Sequence, residues 1–192
     1  MQAVDGNRDE RVRDYIVALV GAGGVPVRGG AKLQKMLFLL ADDLQDAGRH
    51  PGYLPYDHGP HSRAVGDNPG YLEGAGMVSV DPDGISLADR GMSALDGARR
   101  RLDGAVLELI DDYKEFLNDM DPEEVLAFVY CSFPTMARPP EEYGPVSGRL
   151  DDLITSVAGK KKITVQRGAE LLGISHERMI DRMKRAGSRV AG

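Results

Sequence analysis

The 192-residue chain has no tryptophan and one cysteine, Cys131. A single thiol excludes an internal disulfide and leaves too few sulfur ligands for a cysteine-based zinc site. Phenylalanine (4) and tyrosine (7) are also few, so the core must come mostly from Leu, Val, Ile and Met. No apolar run approaches the roughly 18 residues that a membrane span needs. The opening MQAVDGNRDERVRD lacks the basic-then-apolar order of a signal peptide. Also missing are GxxxxGKS/T, GxSxG, HExxH and CxxC, the short patterns of phosphate loops, serine hydrolases, zinc proteases and redox dithiols. Cys131 itself lies in the apolar VLAFVYCSF and reads as a core residue. These absences lead to the expectation of a cytoplasmic, non-enzymatic protein with no cofactor and no membrane partner.

What is present suits a soluble globular chain: 42% apolar and 28% charged residues. The net charge of −6 is unevenly distributed. Residues 159–192 hold nine basic and three acidic residues, a net of +6, which leaves about −12 on residues 1–158. Such segregation suggests two parts with different partners.

Apolar spacing predicts a helix over 8–20 (Val12, Tyr15, Ile16, Leu19, Val20) and another over 31–45 (Leu33, Met36, Leu37, Leu40, Leu44). YDHGPHS follows at 56–62. Asp57, His58 and His61 carry donor atoms a zinc ion accepts, and a metal-dependent enzyme centred on His58 and His61 is one reading. Gly59-Pro60 between the histidines removes the helix such a pair needs, so the stretch reads instead as a turn, with Ser62 capping the next helix. Pro69 predicts that this next segment, 63–77, breaks near Asn68 into two short turns. MVSV-DPDG-ISL predicts a hairpin. Leu95, Ala98, Leu102, Val106, Leu109, Tyr113 and Phe116 alternate in steps of three and four, the pattern of a long helix useful for dimerisation, with Gly97 and Gly104 as places where it divides into two helices instead. Asp121-Pro122-Glu-Glu reads as a well-formed helix start, and Phe133-Pro134 as its end. TMARPPEEYGP is read as a loop, followed by a short helix over 148–158 capped by Ser147.

This order, helix, helix, short helix, hairpin and longer helix, predicts a mostly α protein. A winged helix-turn-helix domain with a small two-stranded wing and long following helices occupies 1–135, and a linker with a short helix occupies 136–158. A basic helix-turn-helix-like tail over 159–192 completes the chain. In the tail, 165–172 and 176–185 form helices around Gly173-Ile174-Ser175, with Ala169 small where they touch. The expected DNA contacts are Lys160, Lys161, Lys162, Arg167, Arg178, Arg182, Lys184 and Arg185, with Arg178 and Arg182 the candidates for base edges. The alternative for this segment is an amphipathic hairpin with an ordinary solvated face.

Five stretches together resemble the Panacea (SocA-like) group of antitoxin and phage-associated winged-helix proteins over about residues 8–135. Lys32–Leu39 resembles that group's LQKLLFL helix, and His58–Ser62 its YGPYS turn. Leu72–Val78 and Leu87–Gly91 are similar to its L…GLI and LTxxG segments, and Asp121–Pro134 to its VYxSYP helix. The last 30 or so residues resemble small antitoxin-like helix-turn-helix proteins. The resemblance implies a transcriptional-regulator-like or antitoxin protein that binds DNA, a partner protein such as a toxin, or both. The heptad-like run from Leu95 to Phe116 adds a homodimer as a further expectation. At 63–77 the net charge is −1 (Arg63 against Asp67 and Glu73). A helix that reads DNA must bring positive charge to phosphates, so the winged helix is expected to serve as scaffold or protein-binding module and the tail to bind DNA. The alternative is an adaptor or antitoxin with no DNA affinity.

Overall fold

The computed structural model describes residues 2–44, 52–56, 58–136 and 146–190. The chain divides into two compact units, Met1–Leu54 with Pro60–Asp119, and Pro55–Gly59 with Met120–Gly192.

The first unit is organised around α1 (Gln2–Gly21), which touches all its other helices and the hairpin. From Asp14 to Val20 every residue of α1 is buried, so this helix is the unit's centre and not an amphipathic cover. α2 (Gly30–Asp43) is likewise buried at every position from Lys32 to Leu40, where apolar spacing alone predicts one inward face. α3 (Arg63–Gly74) follows, then β1 (Val78–Asp81), β2 (Gly84–Leu87), α4 (Gly91–Arg101) and α5 (Gly104–Asn118).

The hairpin forms as expected. The strands are antiparallel, with Asp81 opposite Gly84 across Pro82-Asp83. Asp81 Oδ1 accepts from the backbone N–H groups of Asp83 (2.9 Å) and Gly84 (3.1 Å), which fixes the turn. Val27, between α1 and α2, exchanges backbone hydrogen bonds with Ile85 of β2 at 2.8 and 2.9 Å. That adds one residue of a third strand.

One expectation fails here. α3 does not break at Asn68: it runs unbroken through Pro69. Contacts beside the proline offset its local cost. The Asn68 amide donates to the Ala64 carbonyl, and its Oδ1 accepts from Arg13 Nε of α1 at 2.8 Å. The Arg13 guanidinium also lies 3.9 Å from the Tyr71 ring centroid. The run from Leu95 to Phe116 takes the divided alternative: it is two helices, with an extended joint at Leu102-Asp103. Leu95, Ala98, Leu102 and Val106 are buried within the first unit, so the heptad-like spacing serves this unit's own core.

The second unit contains α6 (Pro122–Ser132), α7 (Leu150–Gly159), α8 (Val165–Leu172) and α9 (His176–Val190). α6 starts as expected at Asp121-Pro122, with Glu124 Oε2 accepting from the Asp121 N–H at 2.8 Å. The division between units falls at residue 120 and not near 135, because Leu126, Ala127 and Tyr130 of α6 share one core with Leu153, Ile154, Ala158, Ala169 and Met179. α7 begins at Leu150 after a short 3-10 turn at Ser147–Arg149. Most of the TMARPPEEYGP loop lies outside the described residues. Among the described residues, no helix is long and apolar enough to cross a membrane.

Candidate nucleic-acid interface

α7, α8 and α9 pack against one another pairwise. The crossing of α8 is possible because two adjacent residues are small. Ala169 is 2% exposed and touches the core. At Gly168, a Cβ would stand 2.7 Å from Met179 Cε of α9 and 3.6 Å from Ala158 Cβ of α7. The contact at Ala169 is foreseeable from the sequence; the closer one at Gly168 is not, although the Gly-Ala pair is its visible trace.

α8 and α9 start on side-chain caps, and α7 and α8 end on backbone caps. Thr164 Oγ1 accepts from Arg167 N–H (3.0 Å) at the start of α8, and Ser175 Oγ from Arg178 N–H (3.3 Å) at the start of α9. α8 ends with Gly173 in the left-handed region (φ 62), Ile174 N–H donating to Ala169 O and Gly173 N–H to Glu170 O. This is the paired closing pattern that favours glycine. α7 ends with the same pair of bonds, Lys162 N–H to Val157 O and Lys161 N–H to Ala158 O. Here the left-handed residue is Lys161 (φ 58), the one non-glycine with positive φ among the described residues. A side chain there costs roughly 1–2 kcal/mol that glycine avoids.

The eight basic residues expected at the interface fall into different settings. Lys160 is a clamp inside the unit. Its Nζ lies 2.7 Å from Glu124 Oε2 and 3.4 Å from Asp121 Oδ2, tying the end of α7 to the start of α6. Glu124 is buried and also accepts from Ser156 Oγ at 2.7 Å. The bond to Glu124 pushes the Lys160 ammonium above the usual lysine range. Arg182 is drawn to Asp151 of α7 at 2.5 Å. Nothing in the local sequence announces either pairing, since the partner carboxylates lie more than thirty residues upstream.

The others face outward to differing degrees. Lys161, Arg167, Arg178, Lys184 and Arg185 are exposed, and Lys162 is half-buried. Arg167 pairs at 3.6 Å with Glu170 on its own helix, an exposed contact of little energy. Arg178, Arg182 and Arg185 recur at intervals of four and three on α9 and therefore share one face. Arg185 Nε donates to the Asp181 carbonyl at 3.3 Å. The arrangement offers a short row of guanidinium groups on one helix with Lys161 at the entry to the preceding one. Such groups neutralise a polyanion.

The histidine turn serves a different purpose. Ser62 caps α3 as expected, its Oγ accepting from Val65 N–H at 3.4 Å. Gln34 of α2 grips the same residue twice, Oε1 accepting from Ser62 N–H (3.1 Å) and Nε2 donating to Ser62 O (2.9 Å). Lys35 Nζ donates to Pro60 O at 3.4 Å, and Tyr53 Oη to Gln34 O at 3.2 Å. The LQKMLFL helix and the GPHS turn are thus two halves of one buried polar latch. His58 and His61 are exposed. Among the described residues no three His, Cys, Asp or Glu side chains are grouped to hold a metal; Asp57 and His50 lie outside those residues. Cys131 is half-buried against the second unit's core, and burial together with Asp151 pushes its thiol up.

In comparisons with family models, curated proteins and solved structures, nothing matches this chain.

Proposed function

We propose that this chain is a non-enzymatic, antitoxin-like or transcriptional-regulator-like protein that binds DNA through α7–α9, a helix-turn-helix unit, while the first unit is a winged helix acting as scaffold or protein-binding module. The observation that carries the reading is Lys161. The chain closes α7 and α8 with the same hydrogen-bond pattern, uses strain-free glycine at Gly173, and places a lysine in the equivalent strained position before the helix-turn-helix. Left-handed non-glycine residues concentrate where a side chain is needed for function. At this place a lysine is suited to a phosphate. Lys161, Arg167, Arg178 and Arg185 are assigned as phosphate or base-edge contacts. Lys160 is assigned to the fold.

The winged-helix reading of the first unit is supported by its element order, by the two-stranded wing and by the Val27 pairing that adds a single bridge residue beside β2. Its α3 carries Arg63 paired with Asp67 at 3.3 Å and no compensating excess of positive charge, which favours a protein partner over DNA for this unit. Titration of labelled duplex DNA with the full chain and with an Arg178→Ala/Arg185→Ala variant tests the DNA assignment. A second reading, an antitoxin or adaptor without DNA affinity, is favoured by the acidic first unit, where 20 acidic residues face 13 basic ones over 1–119. A partner captured equally with and without nuclease, by a chain that leaves DNA unbound, supports that reading.

A further inference from the structure

The first unit carries a cleft of about 440 Å³ formed by α1, α3, α4 and Met77 just before β1. This is the size range of small-molecule sites. Val17, Leu72, Met77 and Ala94 supply apolar lining. Three arginines converge on it: Arg13, Arg100 and Arg101. That convergence stands out because residues 1–119 carry seven more acidic than basic residues.

The arginines have unequal commitments. Arg101 is held by the buried Asp14, Nε at 2.8 Å and one Nη at 2.6 Å, and both Asp14 oxygens are occupied by that fork. Arg13 gives its Nε to Asn68 and lays its guanidinium against Tyr71. Among the described residues, the Arg13 Nη groups and the whole Arg100 guanidinium have no hydrogen-bond or ion-pair partner. Glu10 is the one other carboxylate in the lining, so hydrogen-bond donors exceed acceptors. An anion with two or three oxygens supplies the missing acceptors, since guanidinium forks match carboxylate and phosphate geometry. The face of Arg13 turned away from Tyr71 suits a planar ring.

We propose that this cleft binds a small oxyanion carrying an apolar ring, a phosphate monoester or a carboxylate, with Arg100 and the Nη groups of Arg13 on the oxyanion and the ring over the apolar lining. Isothermal titration of the full chain with phenyl phosphate and with benzoate tests this, with inorganic phosphate and benzyl alcohol as controls. One of the two ring-bearing anions is expected to bind one-to-one with a Kd of about 1 mM or tighter, and which of them binds better identifies the head group. Arg100→Gln, at an exposed position with no partner in the described fold, should weaken that binding about tenfold; Tyr71→Ala, also exposed, should weaken it as well. Four results overturn the proposal: no heat with either probe, equal binding of benzyl alcohol, equal binding of inorganic phosphate (an adventitious ion only), or unchanged affinity in Arg100→Gln.

Discussion

Moving from about pH 8 to about pH 10 should stabilise this protein, because two lysines are buried with no carboxylate beside them among the described residues. Lys114 is 2% exposed and gives its Nζ to the Leu19 carbonyl at 3.1 Å; Lys35 is 5% exposed and gives its own to Pro60 O. Burial, joined at Lys114 by the charge of Lys32, lowers both from 10.5 to about 8. Between those values the unfolded chain binds more protons than the folded one, so unfolding becomes harder as pH rises. The cost is fully present below about pH 8, roughly 3 kcal/mol per lysine at 1.36 kcal/mol per pH unit. About 2 kcal/mol per lysine is recovered by pH 10. Within this interval the raised Cys131 thiol takes back part of the gain, and above it Tyr53 and Tyr113 oppose it too. Burial, and at Tyr113 also the bond to Asp43, raises their pKa values, so the unfolded chain loses their protons first and stability falls. A stability maximum near pH 10 results. Urea unfolding followed by far-UV circular dichroism should show the midpoint rising by about 1–2 M between pH 8 and 10, for a slope of about 2 kcal/mol/M. Lys114→Met should remove about half of that rise, whatever it does to stability at neutral pH. A flat or falling midpoint over this interval, or a full rise in Lys114→Met, would refute the reasoning.

Three substitutions probe the remaining structure. Gln34→Ala leaves the buried backbone of Ser62 without its side-chain partner and should cost about 2–4 kcal/mol in urea unfolding; a change under about 0.5 kcal/mol argues against the latch. Gly168→Val forces a branched side chain into Met179 and should destabilise the second unit by about 1–3 kcal/mol, seen as earlier loss of amide protection in α7–α9 than in α1. Lys161→Gly should raise stability by about 1 kcal/mol while weakening DNA binding, and a variant that gains stability with unchanged DNA affinity removes the functional reason for the strain.

The elements whose causes are local were readable from the sequence. Ser62 before α3, Asp121-Pro122 before α6 and Gly173 between α8 and α9 each act within a few residues of themselves. What was not readable depends on distant partners. Pro69 predicts a broken helix because its penalty is local, whereas the Arg13 contact that braces α3 comes from 55 residues upstream. The division at residue 120 is hidden in the sequence for a similar reason: Asp121-Pro122 looks like any helix start, and only the shared core with α7 and α8 shows that α6 belongs to the later unit. At the candidate interface, counting charge found the basic segment but not its internal ties. Lys160 and Arg182 look the same in sequence as Lys161 and Arg178, yet Glu124 and Asp151 hold the first two. The latch of Gln34 on Ser62 also explains why two motif-like stretches more than twenty residues apart occur together, since each satisfies the other's buried polar groups.

Equilibrium binding of the full chain to labelled duplex DNA, measured by fluorescence anisotropy over a series of salt concentrations, decides whether α7–α9 contact phosphate. Expected is a logarithmic affinity that falls linearly with the logarithm of salt concentration, by about 0.9 per phosphate neutralised. The Arg178→Ala/Arg185→Ala variant should flatten that slope by about 2. Absence of binding at low salt, or a slope identical in the variant, would contradict the assignment of this unit to DNA.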